Sequence, residues 1–177
     1  MPKAARAFSH IALAVTEVEK LARFYVDALG FERGAPYAAA GRRVATLMDA
    51  EPDGFDGVFL RLGDVLLELL AYKTQPEPGE RPRRASEPGF AHISFVVEDF
   101  DGTIAAVERA GGQLHRRLDH RYVGPGESAI AFCLDPDGNR FELVWHPSPE
   151  ETEAHAGFLG LADLGWPACY QVEVGLR

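Results

Sequence analysis

Two histidines and two glutamates occupy matching places in two similar parts of the chain. Each half has a strand-like stretch with a histidine and, further along, a strand-like stretch with a glutamate. The stretches are FSHIALAV (8–15, with His10), VLLELLAY (65–72, with Glu68), FAHISFVV (90–97, with His92) and NRFELVWH (139–146, with Glu142). Imidazole nitrogens and carboxylate oxygens bind divalent transition-metal ions. If the two halves fold alike and pack face to face, we expect the four side chains to meet at one metal ion.

Each of these residues alone has a simpler explanation. A single histidine in an apolar strand is usually a core or surface residue. A glutamate inside an apolar run, such as Glu68, needs a cation or hydrogen-bond donors, because an unpaired buried carboxylate is costly. Recurrence of both residue types in both halves favours a shared ion. Such a ligand set leaves positions for water or substrate, which is typical of a catalytic ion, and it fits Zn, Ni, Co, Mn or Fe(II) equally.

An internal repeat supports the correspondence between the two halves. A shift of 82 positions aligns residues 8–30 with residues 90–112. The identical pairs are Phe8 and Phe90, His10 and His92, Ile11 and Ile93, Val15 and Val97, Ala28 and Ala110, and Gly30 and Gly112. The glutamate strands align at a shift of 74, so the second half has fewer residues between its histidine and its glutamate than the first half has.

The same order of elements is predicted in each half. Alternation in the first stretch places Ile11 and Leu13 on one face and His10 on the other. Apolar residues at helical spacing predict helices over 17–29 and 100–110, each ended by glycine. Three strands are expected after each helix, at 42–49, 56–62 and 65–72 in the first half and at 113–118, 128–135 and 140–146 in the second. Each half is therefore predicted to be a βαβββ module.

The predicted organisation along the chain has four parts. Residues 6–72 and 90–147 are the two modules. Residues 73–89 contain four prolines and no apolar run, which is typical of a linker. Residues 148–177 are expected to form a C-terminal extension that begins as a helix, because a serine and a proline precede several glutamates there.

Composition limits the partners that the chain can have. Its 177 residues carry a formal net charge of −9, which argues against nucleic acid or an anionic membrane as the main partner. No apolar run approaches the roughly 18 residues of a membrane span, and the start of the sequence lacks a signal-type apolar region, so the cytoplasm is the expected location. Cys133 and Cys169 lack the C-x-x-C spacing of thiolate zinc sites, and Cys133 is expected to be a buried thiol.

Two longer motifs resemble a known family. H-x-x-x-x-V followed by FY-x-x-x-LG-F spans His10 to Phe31, and DPDGN-x-FEL spans 135–143. Both are similar to motifs of the vicinal oxygen chelate superfamily, which includes glyoxalase I, bleomycin-resistance proteins and extradiol dioxygenases, over about residues 6–147. The resemblance implies an α+β fold in which two fused βαβββ modules form a cupped mixed β-sheet around one metal site, with a C-terminal helical extension added here.

The resemblance also implies roles for individual residues. The metal positions of glyoxalase-I-like members fall on His10, Glu68, His92 and Glu142. Both carboxylates are then expected to be catalytic, with Glu142 as the general base that moves a proton next to a carbonyl of a small-molecule substrate. A glutathione or coenzyme A tail on that substrate would need basic residues. The candidates are Arg42, Arg43, Arg116 and Arg121.

Three functions are compatible with this pattern. The first is a glyoxalase-I-like lyase, isomerase or epimerase. The second is a non-haem Fe(II) dioxygenase that uses His10, His92 and Glu142 and leaves Glu68 superfluous. The third is a drug-binding protein of the bleomycin-resistance type, whose members usually lack the full ligand set. In this superfamily a site forms either within one chain or across a homodimer, and the sequence leaves both arrangements open.

Overall fold

The structure is a computed structural model that describes residues 7–75, 86–119 and 127–158. The chain divides into two compact units, Met1–Arg83 and Arg84–Arg177. Much of the expected linker (76–85), the end of the C-terminal extension (159–177) and residues 120–126 lie outside the described residues.

The described residues form eight strands and four helices. In the first unit these are β1 (Ile11–Ala14), α1 (Val18–Leu29), β2 (Glu32–Ala39), α2 (Arg42–Met48), β3 (Phe55–Leu62) and β4 (Val65–Tyr72). In the second unit they are β5 (Ile93–Val96), α3 (Phe100–Arg109), β6 (Gln113–Leu118), β7 (Ala129–Leu134), β8 (Arg140–Trp145) and α4 (Pro149–Phe158).

The first unit is a four-stranded mixed sheet with the order β1-β4-β3-β2. The first and last strands, β1 and β4, pair in parallel, and the other pairs are antiparallel. Helix α1 packs on β3 and β4, because its apolar residues recur at helical spacing and bury one stripe against the sheet. Gly30 ends the helix in the left-handed conformation, with φ 74°.

The second unit repeats this arrangement with the order β5-β8-β7-β6. Strands β5 and β8 pair in parallel, and α3 packs against β6, β7 and β8. Asp99 caps α3 because its Oδ1 accepts a hydrogen bond from the Gly102 amide at 2.9 Å. A tight hairpin joins β7 to β8, and the buried Asp135 carboxylate accepts hydrogen bonds from the Asp137 and Asn139 amides. This turn sets the position of the strand that carries Glu142.

The predicted α+β class, the paired βαβββ modules and the helix at the start of the C-terminal extension are confirmed. One strand was predicted wrongly. Residues 42–49 were expected to form the second strand of the first module, yet Arg42–Met48 is a helix and the strand is Glu32–Ala39. β2 contains Gly34 and Pro36, which are uncommon inside strands, but it is an edge strand with a bulge between Arg33 and Pro36, where proline is tolerated.

None of the helices in the three described ranges has the length and apolar character that crossing a lipid bilayer requires.

The cap of α3 gives a stability prediction. The Asp99→Ala substitution should lower the free energy of unfolding by about 1 kcal/mol, because one amide of the first helical turn loses its acceptor. Glu17→Ala is the matched control, since Glu17 occupies the same position before α1 but makes no side-chain cap hydrogen bond. Urea unfolding followed by circular dichroism measures both variants. Equal losses in the two would contradict the assignment.

Candidate metal-binding site

Strand alternation separates Glu68 from the apolar core of the first unit. Leu67 and Leu69, on either side of it, are fully buried among the residues that α1 covers. Glu68 points to the other face of the sheet, here called the glutamate face, and its neighbour on β1 in the parallel register is Ala12. His10 lies two residues before Ala12, so it reaches the same face.

The His10 and Glu68 side chains are in contact on this face. The distance between His10 Nε2 and Glu68 Oε2 is 3.2 Å, and the exposed fractions of the two side chains are 36% and 14%. Ser9 Oγ lies 2.9 Å from Nδ1 of His10, so the opposite ring nitrogen is the one that faces the carboxylate. The His10 ring also packs edge-on against Phe59, with ring centroids 5.5 Å apart. The histidine is thus oriented by contacts on two sides.

A tyrosine from the far edge of the sheet holds the other oxygen of Glu68. The Tyr37 hydroxyl donates a hydrogen bond to Oε1, and its ring stacks on Phe59 with centroids 5.8 Å apart. Burial first, and then the hydrogen bond to Glu68 and the charge of that carboxylate, raise the pKa of Tyr37 well above its ordinary value. The hydroxyl therefore keeps its proton at neutral pH and acts as a donor.

The second unit brings His92 and Glu142 together in the same way. Nε2 of His92 lies 3.6 Å from Oε2 of Glu142, whose side chain is 12% exposed. The Ser94 hydroxyl donates to the same oxygen at 2.6 Å. The His92 ring packs edge-on against Phe132, with centroids 5.2 Å apart. Ser94 is the parallel-register partner of Glu142 on β5, as Ala12 is of Glu68 on β1.

The two units differ in how they stabilise the carboxylate. Tyr37 pairs with Gly57, two residues before Phe59, whereas the corresponding pair in the second unit is Leu118 and Ile130. An apolar side chain therefore stands where the first unit has its phenol. The donor to Glu142 comes instead from Ser94, on the neighbouring strand.

The spacing of the donor atoms in each pair is suitable for two ligands of one metal ion. Two atoms bound at about 2.1 Å, with bond angles between octahedral and tetrahedral values, lie roughly 3.0–3.4 Å apart. The observed Nε2–Oε2 distances of 3.2 and 3.6 Å are close to this spacing. Two imidazoles and two carboxylates also match the nitrogen and oxygen donors that Zn, Ni, Co, Mn and Fe(II) accept. Each pair is equally a close imidazole–carboxylate contact without an ion.

The structure thus joins the predicted residues in pairs, His10 with Glu68 and His92 with Glu142. In residues 7–75, 86–119 and 127–158, no three His, Cys, Asp or Glu side chains form a group that could hold a metal ion. One pair alone supplies fewer protein ligands than the three or four of typical zinc sites. The sharing of one ion by both pairs stays a prediction.

Sequence reasoning missed the hydrogen-bond donors of the site. Ser94 could have been found, since the repeat aligns it with Ala12 and alternation places it on the face of His92. Tyr37 could not, because its strand was predicted in the wrong place. Of the basic candidates for a substrate tail, Arg42 and Arg43 are exposed on α2, and the Arg116 guanidinium donates to the His115 carbonyl. Arg121 lies outside the described residues.

Comparison with known proteins assigns the family. A model of the Glyoxalase/Bleomycin resistance protein/Dioxygenase superfamily matches residues 7–143, most of the chain. The chain belongs to this superfamily. The expectation drawn from the two sequence motifs is therefore confirmed.

Relatives within the superfamily are distant. The uncharacterised protein YaeR of Escherichia coli K12 is 28% identical over 134 residues, which cover 76% of this chain and 92% of that protein. A probable lactoylglutathione lyase of Vibrio parahaemolyticus is 27% identical over 157 residues, 85% of this chain and 95% of that protein. A putative lactoylglutathione lyase of Brassica oleracea is 26% identical over 82% of this chain, which spans only 46% of that protein's length.

Solved structures support the same fold. A glyoxalase family protein from Bacillus cereus superposes with a TM-score of 0.68 at 14% identity, covering 83% of this chain and all of that one. At this identity the likeness shows the fold alone. The superfamily contains many enzymes, so the reaction has to be inferred from the residues of the site.

The burial of Cys133 gives a prediction about its reactivity. It is fully buried on β7, and burial raises its pKa to about 11, so the expected buried thiol is confirmed. In a Cys169→Ser variant, alkylation of native protein at pH 8 should be slower by orders of magnitude than in urea. The rate in native protein should rise as the pH approaches 11, because the thiolate forms there. Rapid labelling at pH 8 would contradict the burial of Cys133.

Proposed function

We propose that this protein is a metalloenzyme that transfers a proton next to a substrate carbonyl, in the manner of a glyoxalase-I-like lyase, isomerase or epimerase. One divalent ion is held by His10, Glu68, His92 and Glu142. The observation that carries the proposal is the recurrence of one arrangement in both units. In each, a mostly buried glutamate on the last strand meets the Nε2 of a histidine that precedes the first strand. Packing alone gives no reason for this pair to occur twice.

When bound, the ion would supply a Lewis acid for a substrate oxygen and for the anion formed when the neighbouring carbon loses a proton. The residues of the chain hold the ion and move the proton. Glu142 is the better base of the two glutamates, because Ser94 and His92 both meet its Oε2 and no described residue donates a hydrogen bond to its Oε1. Both oxygens of Glu68 are engaged, one by Tyr37 and one by His10.

The names of several relatives favour a thiol-linked substrate. Proteins called lactoylglutathione lyases match this chain across most of its length. We therefore expect a small 2-oxoaldehyde adduct of a thiol, with glutathione as the first thiol to test. The engagement of Glu68 by its own hydrogen-bond donor favours a four-ligand centre over a dioxygenase centre of two histidines and one carboxylate.

The metal centre is tested without knowledge of the substrate. Protein purified without chelators should contain about one divalent ion per complete site, and His10→Ala or His92→Ala should reduce that content, because each removes a ligand. Elemental analysis measures the ion. Chelation should lower the melting temperature of the wild type more than that of either variant. Protein that binds no divalent ion even after reconstitution would exclude the proposal.

The base is tested by proton exchange. The Glu142→Gln substitution should retain measurable metal and lower turnover at least about 100-fold, because the amide cannot accept the proton. Nuclear magnetic resonance in D₂O follows deuterium incorporation next to the carbonyl of the adduct. Glu153→Gln is the control, since Glu153 is an exposed residue of α4. Full exchange in Glu142→Gln would move the base to another residue, and ring cleavage of a catechol with Fe(II) and oxygen would indicate the dioxygenase instead.

The same histidine variants separate an intrachain site from one shared across a homodimer. His10→Ala damages only the first unit and His92→Ala only the second. If one chain holds the whole site, a mixture of the two inactive variants stays inactive. If each site draws on two chains, mixed dimers regain one intact site. Activity after unfolding and refolding the mixture measures which arrangement the protein uses.

A further inference from the structure

Tyr37 has no counterpart in the second unit, where Leu118 occupies the corresponding position. We propose that Tyr37 is a positioning residue for the metal centre, which fixes Glu68 as a ligand that binds through Oε2 alone. The inference deepens the proposed function and rests on it, because it assumes that Glu68 is a metal ligand.

The two oxygens of the Glu68 carboxylate have different partners. The Tyr37 hydroxyl donates to Oε1, while Oε2 lies 3.2 Å from Nε2 of His10. A carboxylate whose one oxygen accepts a hydrogen bond from a fixed donor cannot rotate freely, and the second oxygen is then directed toward the other ligand. Glu68 is therefore presented as a one-oxygen ligand before any ion arrives.

The Tyr37 ring is itself held in place by its neighbours. Its ring stacks on Phe59 and contacts Phe55 edge-on, with centroids 5.8 and 6.1 Å apart. It also lies directly over Gly57, where a Cβ would be 2.6 Å from Cζ and 2.8 Å from Oη of the tyrosine. Gly57 has no positive φ, so the backbone conformation does not require a glycine here. The absence of a side chain instead leaves room for the Tyr37 ring. The sheet thus leaves a place for this ring.

The two glutamates, Glu68 and Glu142, differ in their hydrogen-bond donors. The position of Tyr37 is taken by Leu118 in the second unit, and the donor to Glu142 is the short hydroxyl of Ser94 on the same oxygen that faces His92. Glu142 keeps one oxygen without a donor among the described residues. The Tyr37 hydrogen bond therefore makes Glu68 the fixed ligand, and proton transfer is left to Glu142.

The experiment uses Co(II) alone as the probe, because its visible spectrum reports the number and geometry of its ligands. Tyr37→Phe keeps the aromatic ring and removes only the donor, so we expect the folded protein to bind Co(II) about 10- to 100-fold more weakly and with a changed spectrum. Tyr72→Phe is the matched control. Tyr72 ends β4 on the glutamate face and packs on Phe55, and no described residue accepts a hydrogen bond from its hydroxyl.

Two further variants keep the result interpretable. Gly57→Ala should mimic Tyr37→Phe, because the added methyl group displaces the ring. In a Glu68→Gln background, Tyr37→Phe should cause no additional loss of affinity, because the two residues act through one contact. Competition with a chromophoric chelator gives the affinities, and thermal unfolding of the metal-free proteins verifies that they fold.

The outcomes are distinguishable. Wild type that takes up no Co(II) would overturn the metal centre and this inference with it. Wild-type binding that Tyr37→Phe leaves unchanged in affinity and spectrum would overturn the inference alone, as would an equal loss in Tyr72→Phe. A loss confined to Tyr37→Phe and Gly57→Ala, and absent in the Glu68→Gln background, would support it.

Discussion

A carboxylate within an apolar strand has to be compensated, and the local structure of each unit follows from that constraint. Glu68 lies between two fully buried leucines. Alternation turns it away from the helix that covers them, and its oxygens then meet a histidine and a tyrosine. A buried acceptor left without such partners costs about 1–3 kcal/mol, and more when it is charged. The residues around the glutamate are therefore as constrained as the core.

The second unit meets the same constraint with different donors. Its histidine and its phenylalanine correspond to those of the first unit, but the hydroxyl that donates to the glutamate differs: a phenol on the outer strand in the first unit, a serine on the adjacent strand in the second. A repeated fold with a changed donor gives two carboxylates of unequal freedom. Enzymes often need this inequality, because a metal ligand is best held still while a base has to accept and release a proton.

The predictable features of this protein are those encoded by local periodicity. Alternation around His10 and Glu68 was enough to place both on one face, and the glycine-ended helices were evident from residue type and spacing. Local periodicity does not identify the strand that carries Tyr37. This strand contains Gly34 and Pro36, which are acceptable only because it lies at the edge of the sheet. The prediction of one shared ion needs the packing between units, which periodicity within a strand does not encode.

The parallel pairing of β1 with β4, and of β5 with β8, has a consequence for how a site is assembled. The histidine comes from the start of each unit and the glutamate from its last strand, with a helix and the other strands between them. This contact closes the longest loop among the strand pairs of its sheet, so it carries the largest loop-closure cost. A His–Glu pair therefore exists only in a completed sheet. A metal centre built from such pairs would be complete only after its units had been synthesised and folded, so partly made chains would not compete for the ion.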